Sequence, residues 1–351
     1  MDALIRVAAA ALCSLAFAVT AHAKAFDVVE ASVAQLQQAM TSGRVTSKQL
    51  TSLYLARIKA IDKAGPKLNA VIEVNPDALA IADALDRERK EKGPRGPLHG
   101  VPVLIKDNIA TADRMQTTAG SIALAGVKPP RDAFVVTKLR DAGAVILGKT
   151  NLSEWANIRS TRSTSGWSSR GGLTRNPYAL DRNTSGSSSG SGAAIAASLA
   201  AVAVGTETDG SIISPSAVNG LVGIKPTVGL VSRSGIVPIS HSQDTPGPMA
   251  RTVADAAALL AAMAGTDLRD DATRDASPKA VDYTTYLDAN ALKGARLGVV
   301  RSQFGGRNDL VSAEVEKALK ILEAQGAVLV ELAELPNATK YGATELEVLL
   351  T

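Results

Sequence analysis

The sequence predicts an α/β fold, with a mixed, mainly parallel central sheet flanked by helices. Three observations carry this prediction. Helical patterns alternate with short apolar strands along most of the chain. The stretch VPVLI (101–105) is apolar throughout, the pattern of a strand covered on both faces. Twice a helix stops at a glycine and the chain enters a strand at once: Gly143 before AVIL (144–147), and Gly326 before AVLVEL.

Taken in order, residues 31–42 read as a helix. A second helix starts at a Thr46/Ser47 cap and places Leu50, Leu53, Tyr54, Ile58 and Ile61 on one face. LNAVIEV (68–74) reads as a strand, 77–91 as a strongly charged helix, and VPVLI as a buried strand with Lys106 at its end. A helix over 132–142 leads to the AVIL strand. From Asn183 the chain runs NTSGSSSGSGAAIAA, too dense in Gly and Ser for a helix until about 192. An Ala-rich helix (about 192–200) and the strand AVAVG (201–205) follow. A second tight turn, Asp209-Gly210-Ser211, comes next; turns at strand ends aim side chains and backbone N–H groups at a reacting centre. Residues 266–280 read as a polar surface loop, 312–325 as a helix, and 341–351 as the start of an amphipathic helix bearing Leu346, Val348, Leu349 and Leu350.

Composition narrows the function. The 351 residues are 46% hydrophobic but only 3% aromatic, so the core is built from Ala, Val, Leu and Ile. A net charge of +4 with no basic stripe argues against nucleic acid or a membrane surface as partner. Residues 1–23 read as a signal peptide: Arg6, an apolar stretch (8–19), then Ala21-His22-Ala23. The expected destination is the periplasm or the medium. The apolar stretch is shorter than the about 20 residues a membrane span needs. Leu12 before Cys13 is large for a lipoprotein cleavage site, so no stable membrane anchor is expected. Cleavage would remove the single cysteine, and with it disulfides, thiolate metal sites and a Cys nucleophile.

Neither a histidine triad nor a metal site is supported by the sequence. His99 and His241 are isolated in the sequence, and there is no HExxH. No metal or cofactor is implied. Gly143-AVIL-Gly148-Lys149-Thr150 matches the P-loop pattern, yet AVIL belongs in a sheet rather than in a phosphate-cradling loop. A lysine can act as base only when neutral, and burial lowers its pKa from about 10.4. Lys106, behind an apolar strand, suits that role.

The segments GVPVLIKDN (100–108), NTSGSSSGSGAAIAA and GTETDGSIISPSA (205–217), in this order, resemble the amidase-signature enzymes, which hydrolyse amides with a Ser–cis-Ser–Lys triad. The run 237–260 is most similar to their peptide-amidase branch. The resemblance covers most of the chain after residue 25 and is densest over about 95–265. It implies Lys106 as the base, Ser187 as the cis-serine after Gly186, and Ser211 as the nucleophile. It further implies an oxyanion hole from the backbone N–H groups of Thr208, Asp209, Gly210 and Ser211, and a small amide or peptide-amide substrate. Glu207 stands where Asp is commoner, Asp209-Gly210 where two glycines are, and Ile213 where Arg is usual. Aryl and aliphatic amides remain open as substrates, as does the oligomeric state. The A-type component of the tRNA-dependent amidotransferase is the enzymatic alternative, and the leader argues against it. The resemblance implies family members longer by roughly a hundred residues or more. The reading is therefore an amidase domain over 24–351 that is incomplete at its C-terminus, with a truncated, non-catalytic remnant as the further alternative.

Overall fold

The structure, a computed structural model, describes residues 26–276, 280–304 and 308–350. The predicted signal peptide lies outside the described residues, as do the side chains of Leu346 and Leu350. The first two helices begin at capping boxes, which satisfy two orphan N–H groups each. Ser32 with Gln35 starts α1 (Val33–Thr41), and Thr46 with Gln49 starts α2 (Ser47–Arg57). Leu50, Tyr54 and Ile58 are buried, with Leu53 and Ile61 partly buried against them. Strand β1 (Val71–Val74) starts later than predicted, because Lys67 and Asn69 adopt left-handed φ of 54°. Helix α3 (Ala78–Lys92), buried strand β2 (Pro102–Lys106), helix α4 (Phe134–Asp141) and buried strand β3 (Val145–Thr150) follow. A hairpin, β4 (Trp167–Ser168) and β5 (Gly172–Leu173), leads to helix α5 (Ser189–Ala196). Then come β6 (Val202–Glu207), α6 (Ile213–Val218), β7 (Val222–Gly223), β8 (Thr245–Ala250) and α7 (Val253–Met263). Strand β9 (Arg296–Val299), α8 (Asp309–Ala324), β10 (Val328–Glu331) and α9 (Ala338–Leu350) complete the described elements.

Six strands form the central sheet, in the order β1-β3-β2-β6-β8-β7. The centre, β3-β2-β6, is parallel; β1, β8 and β7 each pair antiparallel with their neighbours. Four strands thus run one way and two the other. The sheet is mixed, and parallel pairing is confined to its centre rather than dominating the neighbour pairs. Lys106 and Glu207 end two adjacent parallel strands, the edge at which open α/β sheets build their sites.

Two local expectations need correction. The Gly/Ser run is helical from Ser189, because tertiary packing overrides weak propensity. Residues 189–196 are all buried, and a Cβ on Gly190 would overlap the backbone of Ala70 and Asn151. Gly190 N donates to Asn151 O at 2.9 Å, and Ser191 Oγ meets Thr150 Oγ1 at 2.7 Å. Beyond the helix, Arg57 and Arg251 donate to the carbonyls of Ala196, Ala197 and Ser198, where cations complement a helix C-terminus. The described part of the polar loop is not wholly on the surface either. Asp267, Asp270 and Thr273 are buried, with Asp267 accepting from Ser232 Oγ and Asp270 holding Arg233. The P-loop-like run is strand β3, with Lys149 buried. Its Nζ donates to Ile109 O (2.6 Å) and Thr117 Oγ1 (2.7 Å).

Candidate active site

Lys106 ends β2 fully buried. Its Nζ donates to Ser187 Oγ at 2.7 Å, to Thr206 Oγ1 at 2.9 Å and to Thr206 O at 3.1 Å. Three acceptors match the three N–H bonds of an ammonium. In a neutral amine, the two Thr206 oxygens can hold both N–H bonds and leave the lone pair facing Ser187. Burial lowers the Lys106 pKa to about 7, although the carboxylates of Asp244 and Glu207 oppose the shift. Asn108 Nδ2 also donates to Thr206 Oγ1, at 3.0 Å. Thr206 and Asn108 are the site residues that sequence reasoning missed. Both lie inside the motif segments, but nothing in residue type alone separated them from their neighbours.

Ser187 is reached through a cis Gly186–Ser187 peptide bond. A Cβ on Gly186 would displace the Ser153 and Ser189 hydroxyls, which bond to Gly166 N and Ser185 O. Ser187 O accepts from Ser153 N, and Ser188 N donates to Ser211 O, each at 3.1 Å. The second bond ties the two serine turns together, and the first fixes the Ser187 turn to Ser153. Ser187 and Ser211 line one cavity of about 440 Å³, with Thr208, Asp209, Gly210, Ile239 and Leu349 among its walls. No direct hydrogen bond joins the two hydroxyls, and the Ser211 hydroxyl has no protein partner among the described residues.

The turn after β6 is shaped by Glu207. Its buried carboxylate accepts from Ile212 N (2.6 Å) and Ile213 N (2.9 Å). Gly210 takes φ +73°, a conformation glycine adopts without strain. Among the described residues, the backbone N–H groups of Thr208, Asp209, Gly210 and Ser211 find no protein acceptor. Four adjacent free donors beside a hydroxyl are what an oxyanion hole needs. All the residues predicted for the site are therefore brought together. His99 is buried against Leu85 O at 2.9 Å, a structural role, and His241 lines a neighbouring cavity of about 220 Å³. That cavity shares Ala156, Thr208 and Ile239 with the serine cavity.

Known proteins share this arrangement of elements. A family model described as Amidase matches residues 49–346. An Arabidopsis thaliana protein named "Probable amidase" is 50% identical over 316 residues, 89% of this chain and 60% of its own length. The A-type component of the glutamyl-tRNA(Gln) amidotransferase of Halorhodospira halophila is 45% identical over 308 residues, 87% of this chain and 61% of its own. Among solved structures, the native peptide amidase from Stenotrophomonas maltophilia superposes with a TM-score of 0.86 at 55% identity, covering 90% of this chain and 64% of that one. The chain thus spans about 60% of the length of the curated relatives it matches. With the family model covering most of its residues, the chain belongs to the amidase family.

Proposed function

We propose that the site hydrolyses a carboxamide to a carboxylic acid and ammonia or an amine through a serine acyl-enzyme. The observation that carries this is the 2.7 Å contact between a buried, low-pKa Lys106 and Ser187, in a cavity shared with Ser211 and four free N–H donors. In the proposed reaction Ser211 Oγ bonds to the amide carbon while its proton passes to Ser187 Oγ. Ser187 gives its own proton to the lone pair of Lys106. The carbonyl oxygen takes up the negative charge under the N–H groups. The relay then runs backward, the leaving nitrogen takes the proton, and the C–N bond breaks. Water repeats the sequence on the acyl-enzyme and releases the acid. Seating of the substrate closes the Ser187–Ser211 contact, since catalytic hydrogen bonds often tighten only in the complex.

Similarity to the Stenotrophomonas peptide amidase supports a C-terminal peptide amide as substrate. A solved structure of a peptide amidase in complex with the competitive inhibitor chymostatin superposes with a TM-score of 0.86 at 54% identity. Similarity to the A-type amidotransferase components favours a second reading, in which the ammonia is transferred rather than released. Ammonia release from an N-acetyl dipeptide amide separates the two. Hydrolysis by the chain without a partner protein, abolished in Ser211→Ala with circular dichroism unchanged, is the expected result. Activity in Ser211→Ala within tenfold of the parent would overturn the assignment. Export is also proposed, from residues 1–23. N-terminal sequencing of protein from the periplasm or medium should begin at Lys24, and a retained Met1 would refute it.

A further inference from the structure

Among the described residues that line the serine cavity, Asp209 carries the sole charged side chain. It is exposed, two residues before Ser211, and no protein group pairs with its carboxylate among the described residues. The other charged groups around the site are engaged. Glu207 accepts the N–H groups of Ile212 and Ile213. Asp244 accepts from Thr208 Oγ1 and from the N–H groups of Ile239 and Ser240. In the neighbouring cavity, Arg233 is held by Asp270 and Arg269 by Asp267. Arg159, beside the cavity residue Ile158, sits 4.9 Å over the Trp167 ring and 3.8 Å from Glu154. A carboxylate without a protein partner at a cavity wall contributes negative potential there.

We infer that Asp209 is a specificity-determining residue that selects amide substrates carrying a positive charge close to the scissile carboxamide, and disfavours those carrying a carboxylate there. The inference rests on the amide-hydrolase reading above and deepens it. The backbone N–H of Asp209 serves the developing oxyanion, while its side chain reads the charge of the residue that bears the amide. A basic C-terminal residue, such as the amide of lysine, gains a partner. An acidic one meets repulsion. The interaction is partly solvated, so its size is modest and salt-sensitive.

The test compares kcat/KM for N-acetyl-alanyl amides of lysine, norleucine and glutamate, three side chains of similar reach. The parent chain should prefer lysine over glutamate by roughly 10-fold, with norleucine between them, and the ratio should shrink between about 0.02 and 0.5 M salt. Asp209→Asn should bring the lysine-to-glutamate ratio close to one, and Asp209→Lys should invert it. The salt series needs no variant and keeps the test intact should a substitution misfold. A ratio that is the same in the parent and in Asp209→Asn, or one indifferent to salt, would overturn the inference while hydrolysis itself stands. Absence of any Ser211-dependent hydrolysis would overturn the amide-hydrolase reading, and this inference with it.

Discussion

Thr206 decides how Lys106 can work. Its carbonyl and hydroxyl hold two of the three lysine N–H directions, so the remaining one faces Ser187. Thr206→Val removes one of the two and should lower kcat by about 10–100-fold, while Thr206→Ser keeps the hydroxyl and most of the rate. Steady-state kinetics on both variants checks this; equal rates for Val and Ser would contradict it. The charge-preserving Lys106→Arg should be inactive by at least about 10³-fold, since a guanidinium stays protonated. In the proposed mechanism the base is the neutral lysine. With a pKa of about 7, kcat/KM should rise with pH through neutrality and fall below it as Lys106 takes up a proton. A profile flat down to about pH 4 would exclude a lysine base. Lys106, Ser187 and Ser211 were picked out in the sequence through the three motifs that carry the family resemblance, and the fold brings them together. Thr206 was not, because its role depends on a carbonyl and a hydroxyl converging on Lys106 from the neighbouring strand.

Elements were legible where local signals and packing agree. The Thr46 cap marked the start of α2 and the all-apolar run marked β2, whereas the Ser32 box that starts α1 at Val33, two residues later than expected, was not read. Strand β8 was hidden because it reads TPGPMA, and proline is a poor candidate for an interior strand. Pro246 and Pro248 stand two apart, so both missing N–H groups fall on one side of the strand. Thr245, Gly247 and Met249 pair with β6 on the other, and β7 is only two residues long. Helix α5 was hidden in part because Ser189-Gly190-Ser191-Gly192 has poor helix propensity and is helical only where it is packed. That packing makes a prediction. Gly190→Ala would press a methyl group on the Ala70 and Asn151 backbone, so overpacking should cost about 1–3 kcal/mol or more. A fall of several degrees in Tm, with activity lost in parallel because α5 carries the Ser187 turn, is expected. An unchanged Tm would show that the helix can shift aside.

Across the whole molecule, stability is distributed unevenly. Strands β2, β3, β6 and β8 are buried along their full length. The β9-α8-β10 unit is mostly exposed: α8 has no buried residue, and Leu310, Val311 and Ile321 face solvent. Hydrogen exchange should therefore show β9 and β10 opening well before β2 and β6, as units with few buried apolar contacts do. Equal protection of the two sheets would contradict this. The central claim, however, concerns a nucleophile raised on the central sheet and served by a buried amine. It is tested most directly by treating the chain with a fluorophosphonate and mapping the adduct by mass spectrometry across pH. The expected result is one adduct, on Ser211, whose rate of formation climbs through about pH 7 and is lost in Lys106→Arg. Labelling elsewhere, or labelling of Ser211 at the same rate in Lys106→Arg, would contradict it.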